Sequence, residues 1–323
     1  VSSVRIAMNN FSFPGVVGLA PMAGITDFCF REICFDWGAD FAYTEMISAE
    51  SIIRNIAIEH LLPSKVERNV AVQIFGSDPY RIADAAALVE SKGSWININA
   101  ACPVRKVISK GSGGALLRDL KRLKQVVRCT KSTVKKPLTV KIRLGWDKNE
   151  VDRIVQICLE EGADGLEIHT RTVKQLYSGR AMRDLDFSKW KAPIALSGDV
   201  FTTQDFHAYM MRGASAVLVA RGALRKPWIF REIKGFRSTE LSQIGRAFLI
   251  HISLKQAVKG DRSLYEMRQF VRGYTNGMHG AREFRERFMK IKDFDSMIEA
   301  VAEFYRLSAD QVNRVVKAEF SRG

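Results

Sequence analysis

The stretch Trp95-Ile96-Asn97-Ile98-Asn99-Ala100-Ala101-Cys102-Pro103 decides how this chain is read. It opens on the short apolar run that makes a buried strand. Pro103 fixes its own φ and pushes Cys102 toward an extended conformation, so the thiol is constrained at the strand's end. The glycine-rich, basic segment Arg105 to Gly114 then reads as a mobile loop. A thiol held at a strand end can serve as a nucleophile or a proton donor, whereas an arbitrary cysteine is a small buried hydrophobe. The choice turns on what the other strands carry at their ends.

Working outward, the same order recurs. Apolar runs at Val16–Ala20, Phe41–Thr44, Val70–Ile74, Trp95–Asn99, Leu138–Ile142, Gly165–His169, Ile194–Ser197 and Ala216–Val219 alternate with helix-patterned stretches. Gly38-Ala39-Asp40, Gly162-Ala163-Asp164 and Gly213-Ala214-Ser215 each stand between a helical pattern and a strand, where glycine ends a helix cleanly. Thr26 or Asp27, and Ser77 or Asp78, are the expected N-caps. Eight β/α units over about 230 residues predict an α/β fold, a (β/α)8 TIM barrel. A doubly wound open sheet would carry a Gly-x-Gly-x-x-Gly turn after its first strand, and none is present.

After Ile233 the strand rhythm stops. Gln243–Val258, Ser263–Tyr274, Ala281–Ile291, Phe294–Tyr305 and Ala309–Phe320 all have helical periodicity. Residues 1–233 are therefore predicted to be the barrel and residues 234–323 a smaller all-helical domain. That second part holds seventeen Lys and Arg against eleven Asp and Glu. Its densest basic cluster is Arg282, Arg285 and Arg287, with Arg268 and Arg272 one helix earlier.

The whole chain of 323 residues carries a net charge of +15, which points to a polyanionic partner, nucleic acid first. Five cysteines without a C-x-x-C pair argue against a disulfide framework or structural zinc, and fit a reducing cytoplasm. Cys29, Cys34, Cys129 and Cys158 fall in helical stretches and read as packing residues. Neither a membrane span nor a secretory signal is evident, and no metal-ligand set or obligate protein partner is expected.

In a barrel the site forms at the C-terminal ends of the strands. Those ends carry Pro21-Met22-Ala23-Gly24, Glu45-Met46, Gln73, Asn99 through Cys102, Lys141-x-Arg143, His169-x-Arg171, Ser197-Gly198-Asp199 and Ala220-Arg221-Gly222. Loops after the seventh and eighth strands are the usual phosphate site, and these offer glycines and a guanidinium. Lys141 at a buried strand end needs an anionic or carbonyl partner. Gln73 can donate and accept at the edge of a heterocycle, over an apolar floor of Met22 and Ala23. The set suits a planar, amide-rich ring bearing a phosphate, a description that flavin mononucleotide meets. An FMN barrel acting on a free pyrimidine and a non-catalytic RNA-binding barrel are the competing readings.

The sequence resembles the tRNA-dihydrouridine synthases, the bacterial ones in particular. The resemblance rests on Leu19-Ala20-Pro21-Met22-Ala23-Gly24-Ile25-Thr26-Asp27, Val72-Gln73-Ile74-Phe75-Gly76, Asn99-x-x-Cys102-Pro103-Val104-x-Lys106, Lys141-Ile142-Arg143-Leu144-Gly145-Trp146 and His169-Thr170-Arg171-Thr172. Ser197-Gly198-Asp199, Ala220-Arg221-Gly222 and Lys226-Pro227-Trp228-Ile229-Phe230 extend it. It implies FMN held by Pro21, Met22, Ala23, Gln73, Lys141 and His169, with Ser197, Gly198, Asp199, Ala220, Arg221 and Gly222 at its phosphate end. It implies NADPH as reductant, Cys102 as proton donor, and Asn99, Arg143 and Arg171 near the uracil. Arg105 and Lys106, with the basic helical cluster, would meet tRNA. Ala101 stands where the family usually has glycine, and Ser197 where it usually has asparagine.

Overall fold

The computed structural model describes residues 11–56, 58–236 and 239–320. Its sheet has nine parallel strands: β1 Val17–Leu19, β2 Phe41–Tyr43, β3 Ile47–Ser48, β4 Val70–Phe75, β5 Trp95–Asn99, β6 Leu138–Arg143, β7 Gly165–His169, β8 Ile194–Ser197 and β9 Ala216–Val219. Neighbours run β2-β1-β9-β8-β7-β6-β5-β4, and β2 pairs with β4 to close the ring. The extra strand, β3, lies along the end of β4 (Ile47 opposite Ile74) and shares a stave with β2. Two residues are too few for a period-2 pattern, so the sequence showed eight strands.

Alternation along each strand sorts the side chains. Val72, Ile74, Ile96, Ile98, Val140, Ile142, Leu166 and Ile168 are buried beneath the surrounding helices. The inward set is layered. Phe13, Phe41, Tyr43, Trp95, Ala71, Ala195, Ala216 and Leu218 form one apolar cluster, with Phe11 packed against it. Phe11 lies 6.1 Å from Trp95 and Phe13 stacks on Phe41 at 5.4 Å, so residues ahead of β1 fill the base of the barrel. Above that floor the inward residues turn polar, and they lead to the strand ends.

The helix punctuation follows the sequence. Gly38, Gly162 and Gly213 have φ of +97°, +92° and +83°, the left-handed conformation of a helix C-terminus. Asp78 caps Pro79–Val89 by accepting from the backbone of Tyr80 and Arg81. The Thr26 hydroxyl bonds Met22 and folds the turn after β1. The segment expected as a mobile loop is instead a short helix, Arg105–Ile108, and a 3-10 turn, Gly113–Arg118. Burial of Val107, Leu116 and Leu117 holds it.

By contacts the chain forms two compact units. One runs through Phe28 and includes Asp40–Ala220; the other comprises Cys29–Ala39 and the chain from Arg221 onward. The change in sequence rhythm after Ile233 thus falls inside the second unit, whose regular elements among the described residues are all helical. Its long helix Leu241–Lys259 presents Phe248, stacked on Tyr274 at 4.3 Å, and His251, 4.5 Å from Phe270. The expected helix Ser263–Tyr274 is a 3-10 segment, Gly260–Gln269, then a short helix, Val271–Tyr274. The Ser263 hydroxyl donates to the carbonyls of Lys255 and Gly260 and tightens that turn. No helix among the described residues is long and apolar enough to cross a membrane.

Candidate active site

Cys102 is held on both sides of its peptide. Asn99 Oδ1 accepts from the N–H of Ala101 (3.1 Å) and of Cys102 (2.9 Å), while the Cys102 carbonyl accepts from Gly114 N (2.9 Å). The Ala101 carbonyl accepts from Arg143 Nε at 2.9 Å. Ala101 is not among the residues with positive φ, so its methyl group is accommodated without strain. The thiol is partly exposed. Burial raises its pKa, outweighing the opposing pull of the Val104 N–H and of Arg143 and Lys141. It is a thiol, not a thiolate, at neutral pH.

Beneath it runs a continuous chain of amides. Asn99 Nδ2 donates to Gln73 Oε1 at 2.8 Å, and Gln73 Nε2 donates to Asn97 Oδ1 at 2.7 Å. Asn97 Nδ2 donates to Thr139 Oγ1 (2.8 Å) and to Glu167 (2.6 Å), which also accepts from Tyr43 OH (2.7 Å). An amide chain can run in either direction unless its ends decide. Here a carboxylate, which only accepts, stands at one end and two backbone N–H groups, which only donate, at the other. Both ends demand the same polarity. Asn97, Thr139, Glu167 and Tyr43 were not among the expected site residues. Their signal was the spacing Asn97-x-Asn99, Thr139-x-Lys141 and Glu167-x-His169, which continues the polar face one layer inward.

Lys141 is 7% exposed and pairs in register with Glu167 on β7 and Asn99 on β5. Burial lowers its pKa to about 8, against the pull of Glu167. His169, opposite Arg143 in register, is half-buried. On the other side of the mouth, Pro21 and Met22 are half-buried and Ala23 exposed. Their turn is closed by Ile25 and Thr26 N–H groups on the Met22 carbonyl and by Glu45 on Gly24 N. A Cβ at Gly24 would meet nothing within 4 Å, so there is open room above this turn.

The two arginines expected near the uracil are engaged with the protein. Arg143 is 2% exposed, donates to the carbonyls of Ala101, Thr172 and Leu176, and lies 5.4 Å from the exposed Tyr177 ring. Burial lowers its pKa to about 10. Arg171 is 1% exposed, donates to the carbonyls of Ser178 and Gly179, and pairs with Asp199. Both hold loop backbone around the mouth. Arg171 Nη1 is the exception, a buried donor with no hydrogen-bond partner among the described residues.

Ser197 ends β8, and Gly198 and Asp199 follow it in a tightly tied bend. Gly198 has φ +135°, and a Cβ there would come within 2.8 Å of Ala181 and 2.9 Å of Thr170 Oγ1. Tyr209 OH donates to the Gly198 carbonyl, and Asp199 accepts from Ala181 N as well as Arg171. Ala220 follows β9, and Arg221 and Gly222 open the helix Arg221–Arg225 in the second unit. Arg105 and Lys106 are exposed on their short helix. In the second unit Arg272, Arg282 and Arg287 are exposed, Arg282 pairing with Glu286 and Arg287 with Glu303. Arg285 and Arg268 are half-buried, bonded to Thr275 and to the Ile291 carbonyl.

Known proteins bear on this arrangement. The family model described as dihydrouridine synthase (Dus) matches residues 18–309. The tRNA-dihydrouridine synthase B of Pseudomonas syringae is 33% identical over 304 residues, covering 89% of this chain and 90% of its own. A probable tRNA-dihydrouridine synthase of Aquifex aeolicus is 33% identical over 302 residues, 90% of this chain and 96% of its own. The tRNA-dihydrouridine synthase B of Escherichia coli is 32% identical over 306 residues, covering 88% and 94%.

Proposed function

Because the chain belongs to the dihydrouridine synthase family, we propose that it reduces the C5–C6 double bond of a uridine in tRNA. FMN is the resident cofactor, NADPH its reductant, and the cytoplasm the place of action. A flavin fits the residues present. Lys141 offers a donor at the mouth, Gln73 has a second amide N–H besides the one it gives Asn97, Arg171 Nη1 is a buried donor in want of an acceptor, and the room above Gly24 would take a flat ring. Pro21, Met22, Ala23, Gln73, Lys141 and His169 would hold the ring system. Ser197, Gly198, Asp199 and Ala220, with Arg221 and Gly222, are assigned to the phosphate end.

When bound and reduced, the flavin supplies a hydride to C6 of the base. The electron pair of the C5–C6 bond then moves toward C5 and the C4 carbonyl, and Cys102 gives its proton to C5. Atoms balance as one hydride and one proton added, with the thiolate reprotonated from solvent. The observation that carries this assignment is the Cys102 peptide, held from three directions by Asn99, Gly114 and Arg143 with its thiol protonated. A donor so placed needs no rearrangement at the moment of transfer. Asn99 is the group nearest to the uracil in this reading. Arg143 and Arg171 act as positioning residues that keep the loops around the base in place.

The base must leave its stack in the folded RNA, at a cost of a few kcal/mol, and contacts elsewhere must offset it. Arg105 and Lys106 beside the mouth, and Arg268, Arg272, Arg282, Arg285 and Arg287 in the helical part, would supply phosphate contacts. The test is incubation of the purified yellow protein with NADPH and unmodified tRNA, followed by nucleoside mass spectrometry. A uridine gaining two hydrogens supports the reading. Oxidation of free dihydroorotate with tRNA untouched would replace it by the small-pyrimidine alternative.

A further inference from the structure

Glu167 has no part in that scheme, yet it is a fully buried carboxylate in the middle of the barrel. Isolated charges are not kept in such places. Three donors converge on it: Tyr43 OH at 2.7 Å, Asn97 Nδ2 at 2.6 Å and the Thr139 hydroxyl. Burial is the larger effect and raises the pKa of Glu167; the three donors and the nearby Lys141 pull against it, toward the ionised form. On the adjacent strand, in register with it, stands Lys141, itself almost fully buried.

We propose that Glu167 is a positioning residue whose charge keeps the Lys141 side chain an ammonium group, and so keeps a cation at the barrel mouth where a flavin would bind. This rests on the flavin reading above. The charged and titratable groups facing Lys141 are few among the described residues. Arg143 on its own strand opposes its protonation; Glu167 from β7 and the Cys102 thiol beyond β5 favour it. His169, at the end of β7, faces Arg143 in register. Glu167 is thus the one carboxylate acting on Lys141, and its three donors hold it at a fixed place. Its influence on Cys102 runs through Asn97, Gln73 and Asn99 and needs only an acceptor, so charge and geometry can be separated.

Glu167→Gln separates them. The side chain keeps its shape and an acceptor for Asn97, and its amide N–H₂ can donate to Tyr43 OH, but the charge is gone. The measurement is the affinity of the protein for added FMN across pH 6 to 9, read from flavin absorbance and fluorescence. In the wild-type protein affinity declines as pH rises through about 8, where Lys141 loses its proton. In Glu167→Gln the decline is expected about one pH unit lower, so that binding is about fivefold weaker at pH 8 and nearly equal at pH 6. Tyr43→Phe withdraws a donor that favours the ionised form of Glu167, and so moves the profile in the same direction by less. It serves as the test if Glu167→Gln fails to fold. Profiles that superimpose on the wild type overturn the proposal, as does a uniform weakening with the same pH dependence, which is what a merely structural role would give. A wild-type protein that takes up no FMN at any pH overturns the cofactor reading itself, and this inference with it.

Discussion

Replacing Asn97 by aspartate changes one NH₂ to oxygen at constant volume, in a residue with no solvent exposure. Asn97 Nδ2 lies 2.6 Å from a Glu167 oxygen, so the variant sets two carboxyl groups face to face. Like charges at that distance cannot both be ionised, and the folded protein must take up a proton. The unfolded chain releases that proton above pH ~4, the ordinary range of an aspartate. A folded-state pKa raised above the unfolded one makes stability fall as pH rises, by about 1.4 kcal/mol per unit. The expected cost is about 4 kcal/mol at pH 7, about 1.5 kcal/mol at pH 5, and little at pH 4. Urea denaturation followed by tryptophan emission at several pH values reads it, with Trp95 at the base of the same barrel as one reporter. Adding Glu167→Gln to Asn97→Asp removes the second charge and should recover most of the loss. A pH-independent difference below about 1 kcal/mol would refute the reasoning, because the two side chains would then not share a dry site.

Other consequences are as open to measurement. Arg171→Met takes the guanidinium from Asp199 and releases two carbonyls, so unfolding should be easier by about 3 kcal/mol; a change under 1 kcal/mol in urea would mean the pair is dispensable. Converting Arg282, Arg285 and Arg287 together to glutamine should weaken tRNA binding. It should also reduce the slope of log affinity against log salt by about 2 to 3. Flavin reduction by NADPH in that variant should match the wild type, and its loss would contradict a helical part devoted to RNA. Asn99→Ala, which frees the N–H groups of Ala101 and Cys102, should cost about 2 to 4 kcal/mol of stability. Product formation should fall more than flavin affinity does.

The barrel was legible because apolar runs alternate with helix-patterned stretches, and because three glycines mark the ends of the preceding helices. The strand ends were legible for the same reason: Gln73, Asn99, Lys141 and His169 interrupt apolar runs at matching places. What lay one layer deeper was not. Asn97, Thr139 and Glu167 sit within runs that read as apolar, and a single polar residue inside a strand does not say which partner satisfies it. The arginines show a related limit. Their strand-end positions place Arg143 and Arg171 at the mouth, but only the folded loops reveal that carbonyls of residues 101, 172, 176, 178 and 179 occupy their donors. The segment from Arg105 to Gly114 was misread because glycine content suggests a loop, while Val107 within it and Leu116 and Leu117 just after it bury enough apolar surface to fold it.

A single-turnover experiment bears most directly on the pairing of Cys102 with the flavin. The protein is reduced anaerobically, freed of NADPH, and mixed with unmodified tRNA while flavin absorbance is followed and dihydrouridine counted. The wild type should reoxidise with one dihydrouridine formed per flavin, and Cys102→Ala should retain flavin and tRNA but react about 10² to 10⁴ times more slowly. Equal rates in the two proteins, or product formed without flavin reoxidation, would contradict the assignment.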